Sequence, residues 1–495
     1  MTTMAEPGRR AVVIGSGLSG LTTATLLAEG GWQVTILEQH RIAGGLMQRY
    51  QRGRCWFDTG FHLTTDGGPG GTFRAILARL GILDQVRFLG PDPAAQFVVS
   101  TPGIAPFALP IGIQATCTAC MSRFPEQAAG IERFFDRLLG RLADNPWLAG
   151  LAAGHPIFTT TPDAAADSVD AVLADCGVHG DPAILLGSAA GILAMRSAHC
   201  PFDLYASFAG SSFAGSWRIV DGGDGLTAPL IDRFRALGGT LHLGLAAVSI
   251  DHDGAHSTGV TDAKGVCHPA DLVVGAIHPD TILRLIGEHG VRPSWRQQVR
   301  ATPDGDGAFL LAMKLTQPAL QFGNRHHFFR LEDGSDAYVV APDNWLAEST
   351  GGPHQLEAMV WVPVTETSSW SATSLGRRGP AYLHWKQARE ESLLAAIEQR
   401  FPGIRPTVSR TWTASPLTFR DYLGGRDGAA MGLSHDLGHL GTQPLPARSK
   451  IRNVMFTGQN FGHPGILGCL ISACSVAGTI LQKDLRQEIL AGCRR

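Results

Sequence analysis

Gly15, Gly17 and Gly20 stand in the run Gly-Ser-Gly-Leu-Ser-Gly, directly after the apolar stretch Ala11 to Ile14, and Glu38 follows the turn by about 20 residues. These residue types at this spacing suit one task, holding a dinucleotide. Gly15 permits a tight turn out of a strand. Gly17 lets the backbone approach a pyrophosphate with no Cβ in the way, and Gly20 lets the next helix pack closely on the sheet. The first helical residues, Leu18 and Ser19, bring free N–H groups and the positive end of the helix dipole to the phosphates. Glu38, with Gln39 beside it, sets a carboxylate where it takes the hydroxyls of an adenosine ribose. The alternative is a glycine turn without a ligand. The strand before it, the helix after it and the acid at the right distance all speak against that.

Such a turn must be held by a strand, a helix and a second strand, here Gln33 to Glu38, and two distant stretches supply matching pieces. Near the end of the chain, Asn453 to Thr457 reads as a buried strand, Gly458-Gln459-Asn460 as a loop, and Pro464-Gly465-Ile466 as the start of a helix reaching about Leu481. In the middle, Gly222-Gly223-Asp224-Gly225 precedes a helix with Leu226, Leu230, Phe234 and Leu237 on one face. Leu241 to Ile250 then alternates as one strand, and Ala270 to Ala276 is another apolar strand. Strands alternating with helices predict an α/β layer. A nucleotide domain is therefore expected from residues 1–75, 215–280 and 441–495, and a substrate domain from 76–214 and 281–440. The first insertion is patterned as helices, one carrying Ile131, Phe134, Phe135, Leu138 and Leu139 after Phe124-Pro125-Glu126. The second holds strand-like runs, Phe309 to Leu315 and Glu357 to Val362.

The bulk numbers narrow the class. A chain of 495 residues exceeds one compact domain. A net charge of −2 gives no electrostatic case for nucleic acid. The nine cysteines are odd in number and scattered, which fits free thiols in a reducing compartment and a cytoplasmic location. Cys117 and Cys120 have no second pair at zinc spacing, so no metal is expected. Arginine far outnumbers lysine, a compositional pointer to a GC-rich bacterial source. Arg9-Arg10 before an apolar run mimics a secretion signal, but that run is the first strand of the nucleotide unit and is expected to stay in the mature protein. Gly465 to Leu481 is too short and too interrupted by small residues for a comfortable membrane span.

Several motifs resemble, in the same order along nearly the whole chain, the carotenoid desaturase, carotenoid isomerase and retinol saturase family of FAD-dependent oxidoreductases. They are Arg41 with Gly44-Gly45-Leu46-Met47, Phe57-Asp58-Thr59-Gly60-Phe61-His62, Phe124-Pro125-Glu126, Gly222 to Leu226, Thr418 to Leu423, and Phe456 to Asn460. The resemblance implies a Rossmann-type FAD-binding domain of the glutathione-reductase-like kind with an inserted α+β substrate domain. It implies non-covalent FAD, with Arg41 adding a cation at the phosphates and Gly44, Gly45 and Leu46 near the ribityl chain or ring. Val248 would lend its backbone to the adenine edge. Gly458 and Gln459, with Gly465 and Ile466 at the last helix start, would hold the ribityl hydroxyls and the O2 edge of the ring, where charge grows on reduction. The family often carries an acid where this chain has Asn460. A second dinucleotide motif is absent, so no dedicated nicotinamide domain is expected.

The resemblance implies a long, apolar, alkene-bearing substrate exchanging hydride at flavin N5, with desaturation, saturation and cis–trans isomerisation all open. The substrate would enter from a membrane surface or a carrier, through an apolar tunnel that meets the ring near His62 and Gly462 to Gly465. Phe134, Phe135, Trp147 and Phe158 are among the aromatics from which its walls would be drawn. His62, Asp58 and Tyr422 are the candidates for catalysis. Their structural alternatives are a satisfied core histidine, a buried partner of backbone amides and a loop anchor. Lys314, the one lysine worth testing for an amine-oxidase role, is expected to point to solvent. A flavin amine oxidase is the second enzymatic possibility, and a non-catalytic prenyl- or lipid-binding escort on the same scaffold is the third.

Overall fold

The computed structural model describes residues 8–101, 104–153, 167–331, 333–346, 353–441 and 443–493. Phe158 lies outside the described residues.

A five-stranded sheet runs in the order Thr240–His242, Gln33–Leu37, Arg10–Ile14, Leu272–Gly275 and Val454–Phe456, with every neighbouring pair parallel. Ala11 to Ile14 are buried on both faces, as the continuous apolar run requires. The register aligns His242, Leu37, Ile14, Gly275 and Phe456 across the sheet. The next residues, among them Gly15, Glu38, Ala276 and Thr457, therefore leave the sheet together along one edge. That edge, at the carboxyl ends of the strands, is where open α/β sheets bind ligands.

The helix Leu18–Glu29 follows the first strand and is buried from Leu18 to Ala28. It shares one continuous core with the helices Gly465–Leu481 and Asp224–Ala236 and with the first insertion. In that insertion the helix Ala128–Asp144 buries Ile131, Phe134, Phe135, Leu138 and Leu139 along one stripe, against Phe202 and Tyr205. Phe134 and Phe135 are thus core residues.

Leu241 to Ile250 is not one strand. Gly244 adopts φ +66° and its N–H donates to His40 O at 2.8 Å. That turn separates Thr240–His242 from Ala247–His252, which belongs to a three-stranded meander on the other side of the sheet.

A second sheet of seven strands joins both insertions. Its order is Val408–Ala414, Gly307–Leu315, His354–Val362, Asp336–Val340, His326–Arg330, Phe97–Thr101 and Ile104–Leu109. The first insertion is therefore not only helical, since it contributes the last two strands. Side chains alternate between the faces. Leu356, Ala358 and Val360 share a core with Leu393 and Ile397 of the long helix Gly379–Arg400. Glu357, Met359 and Trp361 point to the opposite face. The hairpin Arg49–Arg52 with Cys55–Asp58 packs on that face through Phe57, Ala312 and Trp412. In the strand Gly307–Leu315, buried almost throughout, Lys314 is half-buried, its side chain beside Gly53.

Candidate functional site

A cleft of about 410 Å³ follows the carboxyl edge of the parallel sheet and continues to the inner face of the seven-stranded sheet. Its first end is built around Glu38, which is buried but lines the cleft. One carboxylate oxygen accepts from Ser16 N at 2.8 Å and Ser16 Oγ at 2.7 Å, and the other accepts from His40 N at 2.8 Å. The acid is thereby fixed before any ligand arrives. Gln39, Ala246, Ala247 and Ile277 complete this end.

The middle is backbone. A Cβ on Gly17 would meet nothing within 4 Å, so this part of the turn faces open space. Gly44 N donates to Ser16 O at 3.0 Å, laying the second glycine turn beside the first. A Cβ on Gly20 would sit 2.1 Å from Gly15 O, so Gly20 acts through close packing and does not line the cleft. The two helices that begin here, Leu18–Glu29 and Gly465–Leu481, have no side-chain cap at their N-termini. Their free N–H groups are the donors that an anionic diphosphate and a ring carbonyl require. Gly458 N is held by Ser472 Oγ at 3.1 Å, which ties the loop Gly458-Gln459 to the second of these helices. Asn460 Oδ1 accepts from Leu433 N at 2.8 Å and so fastens a neighbouring loop.

The far end is a chamber. Leu46, Thr59, Gly60, His62 and Leu63 face Phe208, Phe328, Tyr338, Met359 and Trp361. Behind His62 lies a buried polar cluster. Arg218 donates to His62 O at 2.6 Å and to Asp58 Oδ2 at 2.8 Å. Glu357 accepts from Asp58 N at 3.2 Å, and its other oxygen stands 3.3 Å from His62 Nδ1, an ion-pair distance without hydrogen-bond geometry. Asp58, His62, Arg218 and Glu357 are 3–8% exposed. Burial first, then the neighbouring Glu357, push the Asp58 carboxyl up to about 6 against the pull of Arg218, His62 and Arg49. Asp58 Oδ1, both His62 ring nitrogens and Glu357 Oε2 lack a hydrogen-bond partner. Asp58, His62 and Glu357 also offer one ligand-type atom each within 4.8 Å of one another, a spacing a metal ion could bridge.

Gly15, Gly17, Leu18, Ser19, Glu38, Gln39, Gly44, Gly45, Leu46, Gly458, Gln459, Gly465, Ile466 and His62 all line this one cleft. Four expected residues are placed differently. Arg41 is exposed beside Gly244, because the chain turns outward after His40, and it does not line the cleft. Val248 falls at a register shift that leaves it out of the ladder and is 51% exposed, with Ala246 and Ala247 of the same segment lining the cleft. Tyr422 packs its ring 5.6 Å from that of His40, at the Glu38 end, so it is not grouped with His62. Asp58 stands behind His62 and does not reach the cleft. Sequence reasoning missed Arg218, Glu357, Tyr338, Met359 and Trp361. The available signal was a charge inside an apolar strand, Arg218 before Ile-Val and Glu357 within Leu-Glu-Ala-Met-Val-Trp-Val.

The model of the family described as flavin containing amine oxidoreductase matches residues 18–481. The all-trans-retinol 13,14-reductase of Homo sapiens is 24% identical over 529 aligned positions, covering 97% of this chain and 86% of that one. A chloroplastic prolycopene isomerase of Daucus carota is 29% identical over 133 positions, 25% of this chain and 20% of that one. Among solved structures, the cyclohexylamine oxidase of Brevibacterium oxydans superposes with a TM-score of 0.65 at 16% identity, covering 96% of this chain and 99% of that one, and so shares the fold.

Proposed function

The chain belongs to the flavin-containing amine oxidoreductase family and is an FAD-dependent oxidoreductase, and from that premise we propose that its substrate is a long lipophilic alkene or polyene bound in the chamber beside His62. The observation that carries this is the chamber wall. Leu46, Leu63, Ile192, Phe208, Phe328, Met359 and Trp361 are apolar or aromatic, and the acid among the wall residues, Asp336, is tied to Arg330 at 3.0 and 3.2 Å. An apolar wall excludes water and holds a polyene by area, without offering an ammonium group a free counter-charge.

A second cavity of about 840 Å³ supports an elongated substrate. Its lining includes Trp147, Leu204, Phe461 and Ile471, with Gly462, His463 and Pro464, and the charged Arg141, Asp144, Asp203, Arg292 and Arg448, and it shares Thr65, Phe208 and Leu467 with the cleft. Phe208 stands between the two spaces, its ring over Gly465, where a Cβ would come within 2.8 Å of Cε2. A substrate longer than the chamber has room to continue past this ring.

FAD, when bound, supplies hydride exchange. The residues of this chain orient and shield. Glu38 and the glycine turns hold the dinucleotide, the two helix N-termini face its charges, and the aromatic walls set the substrate against the ring end. Entry from a membrane surface or a carrier suits so apolar a ligand. Among the described residues no helix is long and apolar enough to cross a membrane.

Anaerobic mixing of the purified yellow protein, both as isolated and after reduction with dithionite, with all-trans-retinol, a cis-polyene and cyclohexylamine tests the reading. Conversion of a polyene, seen by chromatography, is the expected result. Rapid flavin bleaching by the amine with no polyene binding would transfer the assignment to an amine oxidase, a reading the rings of Tyr338 and Trp361 in the wall would then explain. A protein that binds lipid but never retains flavin would point to an escort role.

A further inference from the structure

Asp58, His62, Arg218 and Glu357 come from three separate strand pairings and the loop between them, yet all four are buried together. Counting formal charges, two carboxylates and one guanidinium leave the cluster one negative charge in excess. An uncompensated buried charge is costly, and the cluster reaches neutrality by taking up one proton. The surrounding groups do not supply that charge. Arg49 is committed to Asp221 and Asp224 at 3.2 and 3.1 Å. Tyr50 and Tyr338 are neutral phenols, held protonated by burial. His326, bonded to the Tyr338 hydroxyl at 2.9 Å, is kept neutral by burial. Asp343 accepts from Gln355 N and is pushed up by burial.

We propose that this cluster is a one-proton store, in which Glu357 positions the His62 imidazole to exchange a proton with the substrate. Nδ1 is turned toward Glu357, Nε2 has no partner in the protein, and His62 itself lines the chamber. Arg218 grips the His62 carbonyl and Asp58 together, so the imidazole and its counter-charges are one rigid unit.

The inference rests on the lipophilic-alkene reading and adds the proton that such chemistry needs. In saturation, one alkene carbon gains a hydride from the cofactor, itself reduced beforehand by an external two-electron donor, and the other gains H⁺ from His62 Nε2. The π bond, the cofactor–hydride bond and the N–H bond break and two C–H bonds form; the one stored proton passes from the cluster to His62 as Nε2 gives its own, and the cluster takes up a new proton from water after product leaves. Desaturation is the reverse, with Nε2 taking the proton from a C–H bond as the hydride leaves. A divalent metal is the competing occupant. The Arg218 guanidinium, 2.8 Å from Asp58, already stands where such an ion would seek charge, which favours the proton.

The test uses the FAD-loaded protein and begins without substrate. Infrared spectroscopy should show a buried protonated carboxyl, sensitive to D₂O, that is altered in E357Q and in D58N while flavin absorbance is retained. With all-trans-retinol as probe and dithionite as the electron donor, H62Q should lower kcat by about 100-fold with little change in KM. E357Q should lower kcat less, and E357D should recover part of that loss. Absence of the carboxyl band, an unchanged kcat in both H62Q and E357Q, or one tightly held divalent ion per chain by elemental analysis would each overturn the proposal. Failure to convert any polyene would count against the substrate reading, and the infrared result would still decide the proton store.

Discussion

Two buried glutamates serve opposite ends of one cleft, and they are treated differently. Glu38 has both oxygens occupied by three donors, all within two residues of itself or from the glycine turn. Glu357 has one oxygen on Asp58 N and the other without a hydrogen-bond partner, facing an imidazole whose nitrogens are equally unpaired. The Glu38 end is finished before a ligand binds, as a rigid cofactor seat should be. The His62 end is left incomplete, and buried incompleteness is costly unless something uses it. The contrast separates a surface that holds from a surface that reacts.

The largest effect should come from removing the pieces that the two ends share. We propose that the nucleotide domain is assembled from residues 1–75, 215–280 and 441–495. A chain ending at residue 440 loses the strand Val454–Phe456 and the helix Gly465–Leu481. It should retain no flavin after desalting, as read by absorbance. A yellow, folded fragment would refute the domain map.

Glu38→Ala acts on the finished end alone. It should weaken FAD binding by about 10- to 100-fold, because the ribose loses its acceptor and Ser16 N loses its partner, a cost of about 1–3 kcal/mol. Dialysis followed by flavin fluorescence measures it. If Glu38→Ala keeps full FAD while E357Q sheds it, the roles assigned to the two glutamates are reversed.

A smaller effect should appear in the pH dependence of stability. The Asp58 carboxyl is raised to about 6 in the folded chain, against about 4 for a free side chain. Between these values the native state binds more protons than the unfolded state, so this group's contribution falls as pH rises from about 4 to about 6 and is constant above. Thermal melts of the wild type and Asp58→Asn across that window should differ in slope, with the variant flatter. Parallel slopes would mean that Asp58 titrates normally and that the reacting end is less buried than its geometry indicates.

The smallest effect is expected at Phe208, between the chamber and the second cavity. Phe208→Ala should shift preference toward longer polyenes by about 3- to 10-fold in kcat/KM, with FAD retention unchanged. An equal loss for short and long substrates would show that the ring only fills space.

The sequence made the Glu38 end legible because its parts are local. Gly15, Gly17, Glu38 and Gly44 lie within one short stretch, and a strand, a turn and a helix position them with little help from elsewhere. Gly458 and Gly465 are a second local piece, readable for the same reason. The positions of Arg41 and Val248 were not legible, because where a loop turns outward, and where a ladder slips by one residue, depend on neighbours such as Gly244 and Asp262 that local spacing does not reveal.

The opposite end was beyond such reasoning. Asp58 meets Arg218 across 160 residues and Glu357 across 299. Those meetings depend on the register of strands in different sheets, which sets the face each side chain takes. The chain alone pointed to a bound dinucleotide and to the glycines and the acid that come together at one edge of the sheet, because backbone conformation and close approach are properties of a few adjacent residues. Folding decided which charges are sealed together behind His62 and which walls are apolar, because burial and pairing arise only when distant strands are brought side by side.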